Sequence, residues 1–257
     1  MFYYLIIVLI SIGAAFFSGL LGIGGGIILI PSYLYLLPLL GFDHFSVNAI
    51  TGIAATQAMA GGFFAFKNHS KFEAVNKKVA NKVALFAIPG AIAGTVVSKY
   101  LSGKQLLFVY LVILTLAGLS VLLPESVIRE ENSTYKLKNP ILVNFIIFVS
   151  TSISSAMGFG GAVNFIPILN HFYKLPIKSS ISTVTYLIVI TTLVTFLGKL
   201  FLGLVPFKLI LLIVVGSAVG AWFGTKISRA LSSHVLKIIL FLVVLIIWIR
   251  IFITYIN

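Results

Sequence analysis

The 257-residue chain contains no cysteine, so disulfides, thiolate chemistry and cysteine–metal sites are excluded. Acids are almost as scarce. The chain carries five, Asp43, Glu73, Glu125, Glu130 and Glu131. Each lies in a polar break or at the end of an apolar run. Carriers driven by protons or sodium commonly rely on carboxylates buried in the membrane. A carboxylate relay is therefore not expected, and a cationic substrate is disfavoured for the same reason. Charged residues make up 9% of the chain, against about a quarter in a soluble domain. Strand-like alternation is missing, which excludes a β-barrel. The four histidines are scattered without metal-ligand spacing, and no serine sits in a nucleophile turn. No metal, no cofactor and no enzyme activity are expected.

What is present is apolar. Hydrophobic residues account for 60% of the chain, and the mean hydropathy is +1.16. Apolar runs fall at 2–21, 27–40, 46–66, 82–98, 105–123, 140–157, 162–173, 179–198, 207–225 and 235–256. About twenty such residues span the ~30 Å hydrocarbon core of a bilayer. The expected fold class is all-α, a polytopic transmembrane helical bundle in the cell membrane. The first run lacks a basic n-region and a clear A-x-A site, so it reads as a membrane helix rather than a cleaved signal. The net charge of +13 fits loop charges that orient helices, and does not require nucleic acid. It also draws anions toward a path.

One interruption occurs twice. "GLLGIGGGIILIP" (19–31) and "SAMGFGGAVNFIP" (155–167), aligned on Gly22 and Gly158, share three glycines, an isoleucine and the proline after it. "PGAIAG" (89–94) has a similar partner in "VGSAVG" (215–220). The chain divides into a first membrane repeat, 1–123, a polar linker, 124–139, and a second membrane repeat, 140–257. Internal repetition is a usual signature of transporters. The apolar run after each glycine motif is short, ~21 Å for 27–40 and ~18 Å for 162–173 at 1.5 Å per residue. Each motif therefore reads as the buried tip of a hairpin or as a break between half-helices. If all ten runs cross, only Lys99, Lys104, Lys199, Lys208 and Arg250 face one side, and the other basic residues face the other. The positive-inside rule favours that arrangement. It places both termini outside and makes the repeats inverted; if the two short runs instead return without crossing, there are eight crossings and the termini lie inside.

Unwound backbone in lipid is tolerated only where protein buries it or where it lines a cavity. Glycines allow close approach of a ligand, and the amides of a resuming helix favour an anion. The candidate substrate-binding residues are Gly24, Gly25, Gly26, Gly160 and Gly161, supplemented by Thr51, Gln57, Asn164 and Thr183. Pro31 and Pro167 are expected to shape the helices that follow. Gly22-x-x-x-Gly26 is equally a helix-packing pattern. For Gly90-x-x-x-Gly94 and Gly216-x-x-x-Gly220-x-x-x-Gly224 packing is the expected role. Lys199 and Lys226 read as snorkelling anchors near the ends of spans, with steering of anions as the alternative, and His171 as interfacial.

"GLLGIGGGIILIPSYLYLL" followed by "NAITGIAAT" resembles the TauE/SafE family of membrane permeases. That family shows G-x-G-G-G-x-x-x-x-P early and a degenerate copy in the second half. Here the copy is Gly158, Gly160, Gly161 and Pro167, with Ala162 in place of the last glycine of the run. The resemblance covers nearly the whole chain. It implies a plasma-membrane permease, often an exporter, associated with sulfite, sulfoacetate and related sulfur-containing anions. The expected function is transport of a small anion by alternating access. The alternatives are an anion channel and a non-transporting membrane subunit. The expected partners are a small anionic substrate and the lipid bilayer.

Overall fold

The computed structural model describes residues 2–22, 25–70, 75–122, 139–175 and 177–256. They form ten helices and no strand. These are α1 (Phe2–Leu21), α2 (Gly26–Leu39), α3 (Val47–His69), α4 (Lys77–Ser98) and α5 (Gly103–Leu122), then α6 (Pro140–Ala156), α7 (Ala162–His171), α8 (Ile177–Phe201), α9 (Phe207–Ala230) and α10 (Ser233–Ile256). Among the described residues, six helices are long and apolar enough to cross a membrane: α1, α3, α4, α8, α9 and α10. Their outward faces carry Leu9, Leu85, Ile92, Leu211, Trp222, Phe223 and Ile246, all exposed. In water such a surface would drive aggregation, whereas in lipid it is the solvated surface.

Helix starts follow local chemistry. The Ser46 hydroxyl accepts from the Ala49 amide, the Asn76 side chain from Val79, and the Asn139 side chain from Leu142. Each satisfies an amide that the first turn would leave bare. α2 is irregular for a reason visible in the sequence. Pro31 has no amide to give the carbonyl of Ile27, one turn before it. The Tyr110 hydroxyl of α5 donates to that carbonyl instead. The helix then widens into a π turn over Ser32–Leu36.

Packing crosses between the halves in a reciprocal manner. α1, first in its half, lies along α9, fourth in the other, and α4 lies along α6 in the same way. α3 pairs with α8, and α5 with α10. Glycine seams make the first two contacts. Gly216 sits by Val8 and Ser11, Gly220 by Ile12, and Gly224 by Phe16 and Leu20. Gly90 sits by Phe148 and Thr151, and Gly94 by Ser152. Both helix pairs therefore run parallel. A methyl group at Gly94, Gly220 or Gly224 would strike backbone, so these are packing glycines as their spacing implies.

The two ends of the bundle are defined by side-chain contacts. At one end Tyr3 packs on Phe42, the Tyr35 hydroxyl donates to Thr254, and Lys104 lies over the Tyr255 ring. The N-terminal turn, the α2–α3 connection, the α4–α5 turn and the end of α10 thus lie together. At the other end His69 meets Gly19, and Gly19 meets Ala221 and Thr225.

Candidate functional site

The two glycine motifs interrupt helices as expected. α1 stops at Leu21, Gly22 takes a left-handed φ of 67°, and helix resumes at Gly26. In the second half α6 stops at Ala156, and Gly158, Gly160 and Gly161 take φ of 94°, 62° and 88°. Gly161 is the N-cap of α7 in a left-handed conformation that L side chains avoid. The described glycines of both breaks are buried.

The breaks touch each other. The Phe159 ring, from the second, is fully buried and rests on Gly26, at the restart of the first. Its centroid lies 5.8 Å from that of Tyr110. Gly158 lies against the backbone of Thr51 and Ala55 in α3.

Gly24 lies outside the described residues. Gly25 faces the Ala14 carbonyl and Gln57, Gly160 faces Thr192, and Gly161 faces Phe165 and Thr151. Neighbouring atoms thus fill the space that a Cβ would take. The Gln57 side chain donates to the Ser11 carbonyl at 3.1 Å, and its own oxygen makes no hydrogen bond among the described residues. Asn164 donates to the Ser154 hydroxyl at 3.1 Å. Thr183 stands apart from the breaks: its hydroxyl accepts from the Asn76 amide and ties the start of α4 to α8.

Lys199 departs from the snorkelling expectation. Its side chain is fully buried. Nζ donates to Thr51 Oγ1 at 2.8 Å, to Ser98 Oγ at 2.6 Å and to the Ala156 carbonyl at 2.9 Å. The hydroxyls of Thr51 and Ser98 pass their own protons to the carbonyls of Asn48 and Thr95. The chain after α8 turns back onto α3. The Leu204 amide returns to the Lys199 carbonyl at 3.0 Å, and the Leu204 carbonyl lies directly over Gly52 in α3. A side chain at 52 would hold that turn away. Lys226 does stay exposed, over the Trp222 ring, and His171 is exposed as expected.

Around the second break, hydroxyls line the interface of α4, α6 and α8. Thr151, Ser154, Ser155, Thr191, Thr192 and Thr195 are all fully buried. Thr195 bonds Ser155 at 3.1 Å. An open apolar groove between α1, α2 and α10, lined by Phe17, Ile28, Pro31, Tyr35 and Arg250, shares no residue with this cluster.

The buried paired breaks sit in a lipid-facing helical shell, and residues 7–251 match the model of the family described as Sulfite exporter TauE/SafE. The chain belongs to the TauE/SafE family. A "Probable membrane transporter protein YunE" of Bacillus subtilis (strain 168) is 22% identical over 246 residues, covering 89% of this chain and 88% of the relative. A "Probable membrane transporter protein" of Xylella fastidiosa (strain Temecula1 / ATCC 700964) is 24% identical over 234 residues, covering 90% and 87%. No solved structure matches. As a TauE/SafE member the protein is a multi-pass transporter of the cell membrane rather than an enzyme.

Proposed function

We propose that the protein exports a small anion, a sulfur oxyanion or an organosulfonate, by alternating access. The observation that carries this reading is the contact of the two helix breaks, Phe159 on Gly26, inside a shell of buried hydroxyls and amides. Irregular backbone at such depth is a common setting for substrate sites in transporters. The only acid among the described residues, Asp43, is exposed, so nothing described there repels an anion. The family description, Sulfite exporter, points to the sulfur class. The reciprocal packing of first on fourth helices supports two repeats of opposite orientation, and the uneven split of basic residues supports both termini outside. In this reading the glycine breaks, with Thr51, Gln57 and Asn164, line the substrate path, and Phe159 closes it in the state seen here.

The test is counterflow in proteoliposomes loaded with sulfite, sulfoacetate or taurine. Saturable exchange that Gly25→Val abolishes is expected. Flux that neither saturates nor exchanges would make the protein an anion channel instead.

A further inference from the structure

Lys199 stands alone among the described lysines and arginines in being fully buried. Lys67, Lys82, Lys99, Lys104, Lys208, Lys226 and Arg250 are exposed, and Lys174 is half-buried. A buried charge is costly unless an opposite charge accompanies it. Lys199 has none among the described residues; its partners are two hydroxyls and a carbonyl. The C-terminal end of α6 supplies partial negative charge at Ala156. That explains one of the three contacts. It does not explain why α3 and α4 each contribute an oxygen.

Four helices, two from each half, meet at this nitrogen: Thr51 on α3, Ser98 on α4, Ala156 on α6 and Lys199 on α8. Ala156 is the last helical residue before the second glycine break. Two more buried hydroxyls on the same helices, Thr95 of α4 and Thr151 of α6, have no hydrogen-bond partner among the described residues. Buried polar atoms are nearly always paired with protein, water or ligand. The arrangement is a cation ringed by neutral oxygens, with further donors left over on the same helices.

We infer that Lys199 recognises the charge of the transported anion, and that the oxygens of Thr51, Ser98 and Ala156 occupy its place when no anion is bound. This rests on the transport reading above. The ligand class is a compact oxyanion or sulfonate group, whose several oxygens can accept from the ammonium in place of the two hydroxyls and the carbonyl. When the anion enters, the hydroxyls of Thr51 and Ser98 give up the lysine's protons and keep donating their own to the carbonyls of Asn48 and Thr95. Movement of one half against the other would make and break the ring, because each half owns two of its members.

The experiment is thermal unfolding of the purified full-length protein at fixed ionic strength. Sulfite, methanesulfonate, sulfate, phosphate and chloride are titrated into wild type, Lys199→Met and Ser98→Ala. A sulfite- or methanesulfonate-dependent rise in the wild-type midpoint is expected, and its loss in Lys199→Met. Without anion, Lys199→Met should be as stable as wild type or more so, since the methionine removes an uncompensated charge. Ser98→Ala removes an oxygen that competes for the amine, and should tighten the anion's apparent dissociation constant by about threefold or more. A Lys199→Met protein that keeps the wild-type anion response overturns the inference and leaves the transport reading standing. If Lys199→Met does not fold, unchanged or weakened binding in Ser98→Ala overturns it. If no anion moves the wild-type midpoint, both readings fall together.

Discussion

The imidazole Nε2 of His69 lies 3.0 Å from the carbonyl of Gly19, so the end of α3 clasps the end of α1 just before the first glycine break. The second half has a matching joint, where Lys199 near the end of α8 holds the carbonyl of Ala156 at the end of α6. In both, a side chain that can donate meets a carbonyl that the helix leaves unpaired. The first joint uses a side chain that can donate while neutral, the second an ammonium.

His69→Leu should therefore destabilise the protein by about 1–3 kcal/mol, the usual cost of orphaning a buried acceptor. The midpoint of thermal unfolding in detergent checks it. A variant that unfolds with wild type would mean that water replaces the imidazole at Gly19.

The Phe159–Gly26 contact predicts coupling. Gly26→Ala should destabilise by ~1–3 kcal/mol, because the new methyl meets a ring that has nowhere to move. Adding Phe159→Leu should recover most of that loss. Strict additivity of the two changes would show that the breaks do not press on one another.

Tyr110→Phe removes the donor that compensates for Pro31. The Ile27 carbonyl is then bare, at a cost of about 1–3 kcal/mol. Pairing Tyr110→Phe with Pro31→Ala restores a backbone donor one turn on, and should return much of the stability. The double-mutant cycle measures this directly.

Glycines on the seams and off them should behave in opposite ways. Gly220→Ala would drive a methyl into the Ile12 backbone and lower stability by ~1–3 kcal/mol. Gly13, in the same helix pair, has nothing within 4 Å of where a Cβ would be. Gly13→Ala should be neutral or stabilising by up to about 1 kcal/mol, through helix propensity alone.

Ser46 and Ser70 lie just beyond the two ends of α3 and are both exposed. With no native cysteine, Ser46→Cys and Ser70→Cys can be labelled singly. A membrane-impermeant maleimide should reach position 46 from outside the cell, and position 70 only after the membrane is opened. The reverse pattern would place the termini inside.

The helix breaks and the packing seams were legible in the sequence because both are written in glycine spacing, which acts locally. Lys199 was not. It sits near the end of an apolar run, where a lysine ordinarily reaches for water. Its partners come from three other helices, and the turn after it settles on Gly52, distant in sequence and ordinary in appearance. The neighbour of Thr183 was hidden for a related reason. A hydroxyl within a span carries no sign of which neighbour it faces, and here the neighbour is the Asn76 amide. Phe159 gave no signal, being one aromatic among many until Gly26 is placed beneath it.

The cross-packing of α1 on α9 sets an order of assembly. α1 ends at Leu21 and its partner begins at Phe207, so the first helix made must wait for almost the last. At 5–20 residues per second that wait is on the order of ten seconds or more. Throughout it the groove that will receive Gly216, Gly220 and Gly224 faces lipid or an insertion chaperone. A ribosome stalled before residue 207 would leave a chain with every helix of its first half and no mate for α1. Quality control that recognises a bare small-residue face would have a long interval in which to find it.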